Sequence, residues 1–137
     1  MTDEIIISVD QHIATVTLNR PEARNALTFG MYQALLDLCR QAGTPKDDRA
    51  IKAIVICGAG EKAFAAGTDI GQFTSFETLQ DGHDYEVQIE SVISSIETCR
   101  VPVIAALHGA VTGGGLVIAA AAHLRLASAD VKIGMPI

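Results

Sequence analysis

Residues 63–70 read AFAAGTDI, in which only Phe64 and Ile70 carry much side-chain volume. The stretch follows AIVICG at 53–58, a continuous apolar run whose length predicts a strand covered on both faces. From Gly58 to Gly67 the chain is glycine-rich, and the arrangement returns further on. VIAAL at 103–107 predicts another buried strand, and GAVTGGG at 109–115 leads into a helix. Taken singly, each glycine-rich segment reads as a tight turn between a strand and a helix. Taken as a pair, each presents backbone N–H groups at a helix start, and together they form a candidate site for an oxyanion. Nucleotide-loop readings fail on spacing: GAGEKA at 58–63 lacks the last glycine of GxGxxG, and GAGEKAF lacks the GK[ST] of a P-loop.

Outward from this centre, EIIISV at 4–9 and HIATVTL at 12–18 are β-branched runs separated by Asp10-Gln11, which predicts a hairpin. NRPEARNAL at 19–27 breaks the pattern. Thr28 then caps a helix whose apolar face is Met31, Leu35, Leu38, Cys39 and Ala42, and which stops at Gly43-Thr44-Pro45. Residues 74–82 are polar and lack periodicity, which predicts a loop. A second helix is expected to bury Val87, Ile89, Val92, Ile93 and Ile96 and to end near Arg100, before Pro102. LRLAS at 124–128 and VKIG at 131–134 supply two short final strands. Strands alternating with helices in this way define an α/β class with a largely buried sheet.

The 137 residues suit one domain, 1–137, with no linker or repeat to divide it. With 49% hydrophobic and 19% charged residues and a mean hydropathy of +0.31, the chain has the composition of a folded protein. Its formal net charge of −6 and ten scattered basic residues argue against a nucleic-acid surface. GGGLVIAAAA at 113–122 is stopped by His123 and Arg125, short of the roughly 20 apolar residues of a membrane span. MTDEIIISVD is acidic where a secretory leader is basic, so a cytoplasmic location is expected. Cys39, Cys57 and Cys99 show neither metal nor disulfide spacing, and His12, His83 and His123 are isolated, so no metal site is expected.

NRPEARNAL at 19–27, KAFAAGTDI at 62–70 and PVIAALHGAVTGGG at 102–115 stand in an order and spacing that resemble the enoyl-CoA hydratase/isomerase (crotonase) superfamily over essentially the whole chain. The resemblance implies a right-handed spiral of ββα units, assembly as a trimer or hexamer, and an acyl-CoA thioester as substrate with no separate cofactor. It also implies that two backbone N–H groups, those of Thr68 and Gly114, polarise the thioester carbonyl and stabilise an enolate. Main-chain donors tolerate Thr68 in place of the family's usual alanine. CoA would be met by the carbonyl of Ala66, by Arg24 near its phosphates, and by the adjoining Asp69 and Ile70. Asp69 by its local pattern reads as a helix N-cap, and Arg24 by its own is an exposed loop arginine.

The family's two glutamates are replaced. Three residues after Gly114 stands Val117, and after the strand and Pro136 stands Ile137. Neither side chain moves a proton, and general acids or bases contribute roughly 10²- to 10⁴-fold. Hydration is therefore not expected; decarboxylation or a double-bond shift is easier to reconcile, as is a non-catalytic acyl-CoA-binding or assembly subunit. His108 and Thr112 are candidate replacements, though a strand-end histidine bonded to backbone and a helix-capping threonine are the preferred readings of them. Because the family's chains run on past the equivalent of Ile137, the resemblance implies an incomplete domain, cut before the C-terminal helical part, whose last layer another chain or further sequence covers.

Overall fold

The protein is described by a computed structural model over residues 3–135. Strand β1 (Ile5–Asp10) pairs antiparallel with β2 (Ile13–Leu18), Ile5 opposite Leu18 and Asp10 opposite Ile13. The hairpin turn is Gln11-His12, one residue later than the sequence suggests. Both residues have positive φ, 49° and 68°, the backbone twist that a two-residue hairpin requires. Helix α1 (Phe29–Gln41) then leads to β3 (Ala53–Gly58), parallel to β2.

From here the chain repeats one path. β3 passes to β4 (Ala63–Ala66), and a 3₁₀ segment (Ile70–Ser75) and helix α2 (Leu79–Glu97) return it to β5 (Val103–Leu107). β5 passes to β6 (Ala110–Thr112), and helix α3 (Gly114–Ala121) returns it to β7 (Leu124–Ala127), which passes to β8 (Lys132–Gly134). The strands fall into a five-stranded sheet, β1-β2-β3-β5-β7, and a three-stranded sheet, β4-β6-β8. Each circuit adds one parallel strand to each sheet, which is the mixed α/β architecture expected. The glycine-rich segments thus contain two strands, β4 and β6, that were not foreseen. Three or four residues are too few to show a period of two.

Alternation decides which side faces in. β2 buries Ala14, Val16 and Leu18; β3 buries Ile54 and Ile56; β5 buries Val103, Ala105 and Leu107. The opposite face of β3 is only half-covered at Val55 and Cys57, so its two faces are not equally buried. Thr28 caps α1, its Oγ1 accepting the Met31 N–H at 3.2 Å, and the predicted face Met31, Leu35, Leu38, Cys39 and Ala42 is buried. All three cysteines are free thiols.

Helix α2 corrects two expectations. It starts inside the stretch read as a loop, because Thr78 and Asp81 form a capping box: Thr78 Oγ1 accepts the Asp81 N–H at 3.2 Å, and Asp81 Oδ2 accepts the Thr78 N–H at 3.1 Å. The cap starts a helix whose first turns are too polar to show periodicity. Val87, expected in the core, is 47% exposed, and the buried side is centred on Val92, Ser95 and Ile96. Leu124 and Leu126 on β7 and Ile133 on β8 are also exposed, on the last strand of each sheet. Among the described residues no helix is long and apolar enough to cross a membrane.

Asn25 is one of the side chains that fasten the loop 19–27 to the spiral. Asn25 is fully buried at φ 57°, a left-handed conformation that asparagine tolerates. Its Oδ1 accepts the Arg20 N–H at 2.8 Å, and its Nδ2 donates to Ala59 O at 2.9 Å and Ala63 O at 2.8 Å. Asn25→Ala strands those partners and places alanine in a disfavoured backbone region. It is expected to destabilise the fold by about 3 kcal/mol, read as a lower urea midpoint at unchanged denaturant slope; a midpoint equal to wild type would contradict this role.

Candidate functional site

The fastened loop aligns Leu27 with Thr68. Leu27 N–H donates to Gly67 O at 2.9 Å, and Asp69 N–H donates to Leu27 O at 2.8 Å, a parallel bridge between Leu27 and Thr68. In such a bridge the bonds flank the partner residue, so the N–H of Thr68 points away from Leu27. On the other side, Gly67 N–H donates to Thr112 O at 3.0 Å, and a Cβ placed on Gly113 would stand 3.0 Å from Gly67 Cα. The two glycine-rich loops therefore touch backbone to backbone.

Gly113, at φ 54°, is the N-cap of α3 and has no side chain to cap with, so Gly114 supplies the first helical N–H. The first helical bond belongs to Val117, whose N–H donates to Gly113 O at 3.1 Å. Among the described residues neither the Thr68 N–H nor the Gly114 N–H has an acceptor. Two free main-chain donors thus lie on adjoining loops, one at the positive end of a helix, where an anionic oxygen is favoured.

The other sequence candidates gather around them. Ala66 N–H donates to Arg24 O at 2.9 Å, so these two residues are neighbours, and the extended backbone turns the Ala66 carbonyl to that same side. The Arg24 side chain is exposed, on a residue at φ 51°. Asp69 caps the 3₁₀ segment, Oδ1 accepting the Gly71 N–H at 3.0 Å, and its Oδ2 pairs with Arg20 Nη2 at 3.0 Å. Ile70 is 79% exposed. Val117 lies one turn into α3 and is half-buried. Ile137, the second glutamate position, lies outside the described residues. His108 Nε2 bonds to Gly60 O at 2.8 Å, the strand-end backbone contact. Thr112 does not cap α3; Gly113 holds that position, and Thr112 serves through its carbonyl.

Two residues at the site were not singled out from the sequence. A Cβ on Gly114 would overlap the hydroxyl of Tyr32 and stand 2.7 Å from Thr68 Oγ1. Tyr32 OH and Thr68 Oγ1 are 2.7 Å apart, and Tyr85 OH reaches the same Oγ1 at 3.5 Å. Tyr32 comes from α1 and Tyr85 from α2, so no local pattern could have joined them to Thr68. Tyr85 is held in an aromatic cluster with Phe29, Phe73 and Phe76, with ring centroids 4.9–6.2 Å apart. Tyr85, Phe29 and Phe76 also line a groove of about 660 Å³ between α1 and α2. Burial, reinforced by Tyr85, pushes the Tyr32 phenol up to about 12 despite the opposing Thr68 hydrogen bond.

This geometry has counterparts among known proteins. The enoyl-CoA hydratase/isomerase family matches residues 8–137, and the chain belongs to that family. It is 38% identical over 132 residues to a protein of Bacillus subtilis named "Probable enoyl-CoA hydratase", covering 96% of this chain and 49% of that one. It is 34% identical to the short-chain-enoyl-CoA hydratase of Clostridium acetobutylicum, covering 98% and 50%. Its fold superimposes on the crystal structure of an enoyl-CoA hydratase/carnithine racemase from Magnetospirillum magneticum with a TM-score of 0.85 at 36% identity, covering 99% of this chain and 50% of that one. The fold is thus the crotonase fold, and the chain spans about half the length of the curated relatives it matches.

Because the Tyr32 pKa is raised above its ordinary 10.0, its contribution to stability is complete below pH 10 and falls as pH climbs towards about 12. Tyr32→Phe is expected to flatten that alkaline decline and to remove a phenolate absorbance step near pH 12. A phenolate step at pH 10 that vanishes in the variant would contradict the buried position.

Proposed function

We propose that the protein binds an acyl-CoA thioester, holds the carbonyl oxygen between the N–H groups of Thr68 and Gly114, and stabilises the enolate that this polarisation favours. The observation that carries the reading is the pair of acceptor-free backbone donors on touching loops at the start of α3. A donor of this kind is worth roughly 10²- to 10³-fold in rate in other enzymes. Arg24 and the Ala66 carbonyl, which are neighbours, would meet CoA, with Asp69 and Ile70 at the margin; Asp69 would act through its bonds to Arg20 and Gly71 rather than as an acid or base.

The proposed chemistry is an enolate reaction that does not depend on a glutamate at either family position, such as decarboxylation or a double-bond shift. Val117 favours this over hydration, since nothing there can activate water. The same substitution favours a second reading, an acyl-CoA-binding or assembly subunit without turnover. In either case the reading assigns CoA thioester as ligand, no resident cofactor or metal, a cytoplasmic setting and a homo-oligomer, trimer or hexamer. The exposed Leu124 and Leu126 are consistent with a surface that a second copy or further chain covers.

The test uses the intact protein. Butyryl-CoA is expected to bind, and crotonyl-CoA to keep its conjugated-thioester absorbance over a time in which a glutamate-bearing hydratase consumes it. Gly114→Ala, whose methyl group collides with Tyr32, is expected to weaken thioester binding at least tenfold while unacylated CoA binds as before. Hydration far above the uncatalysed rate would sink the glutamate-free reading. Failure to bind any CoA thioester would sink both readings.

A further inference from the structure

Three hydroxyls converge beside the two free backbone donors. Thr68 Oγ1 lies 2.7 Å from the hydroxyl of Tyr32 and 3.5 Å from that of Tyr85. It also lies 2.7 Å from where a Cβ on Gly114 would stand, which sets it against the Gly114 backbone. Tyr32 is 2% exposed, and its hydroxyl lies 2.7 Å from Thr68 Oγ1, a contact in which either oxygen can donate. A buried O–H without an acceptor is disfavoured, and donation from Tyr32 to Thr68 would satisfy it. Tyr85 approaches the same oxygen as a donor.

In that arrangement the lone pairs of Thr68 face two phenols, and its own proton is left for a third group. The residue that carries one of the free main-chain donors would then carry a second on its side chain.

Resting on the acyl-CoA reading above, we propose that Tyr32 donates to Thr68 and that the Thr68 hydroxyl is thereby a third hydrogen-bond donor to the thioester oxygen, with Tyr32 a positioning residue that directs the Thr68 proton. A phenol donating into the Thr68 oxygen makes its O–H a stronger donor, because linked hydrogen bonds polarise one another. This is a function for the side chain of Thr68, separate from that of its N–H, and it gives Tyr32 a reason to stand at the edge of the core with its hydroxyl on the site.

The experiment measures the infrared carbonyl stretch of butyryl-CoA, isotopically labelled at the thioester carbonyl, bound to the intact protein. Wild type is expected to lower the stretch relative to free thioester. Thr68→Val keeps the main-chain N–H and nearly the same volume but lacks the hydroxyl; it should return the stretch part of the way to the free value and weaken binding about tenfold. Thr68→Ser should restore both, and Tyr32→Phe should broaden the band because the Thr68 proton loses its direction. Unacylated CoA, which has no thioester carbonyl, should bind all of these proteins equally, which separates a lost donor from a lost fold. If Thr68→Val disturbs packing, Thr68→Ala reports the same loss.

A wild-type stretch and wild-type affinity in the valine or alanine variant would overturn the proposal while leaving the two main-chain donors in place. A wild-type protein that binds butyryl-CoA with no shift of the stretch would overturn the underlying carbonyl-binding reading, and this proposal with it.

Discussion

The site depends on the first turn of α3 lying directly on strand β4. A Cβ on Gly115 would overlap the carbonyl of Ala65, so helix and strand meet main chain to main chain, with no room for an intervening side chain. Ala63, Phe64 and Ala65 are buried in succession, and β4 has no solvent face to give way. This contact brings Gly114 beside Thr68, and it accounts for the small residues on both partners. In AFAA and GGG, side-chain volume has been removed where two backbones need to approach.

A second fastening comes from the loop before α1. Asn25 ties it to Ala59 and Ala63, and Leu27 brackets Thr68 with its own N–H and carbonyl. Arg20 adds a bond to the Ala26 carbonyl and an ion pair with Asp69. NRPEARNAL is thus a brace, holding the segment from Ala66 to Asp69 from the side opposite β6. A residue whose backbone is pinned on both sides keeps its N–H pointed without help from a ligand, the condition for donors that stabilise developing charge without reorganising.

Much of this was legible in the sequence, for identifiable reasons. The buried runs AIVICG and VIAAL, the Thr28 cap and the three ordered motifs define elements and family, because each is a local pattern. β4, β6 and the start of α2 were less legible, since a strand of three or four small residues and a helix held by its cap leave no hydrophobic period. Tyr32 and Tyr85 were not legible as site residues. They reach Thr68 from 36 and 17 positions away, and only the folded chain brings them together. Asn25 stands within a legible motif, but its role depends on a left-handed backbone and on carbonyls far along the chain.

β4 and β6 are neighbours in one parallel sheet, with a register irregularity between Ala63 and Ala65. The Thr68 and Gly114 amides follow closely on these neighbouring strands, which in a sheet stand about 4.8 Å apart. Exchanging the side chains at 68 or 117 leaves that main-chain frame in place, whereas a side chain at Gly113 or Gly115 would press the two backbones apart. Under the proposed reading, hold on a carbonyl and chemistry upon it thus fall to different atoms, main chain for the first and side chains for the second. Positions 68 and 117 can carry different residue types on the same main-chain frame.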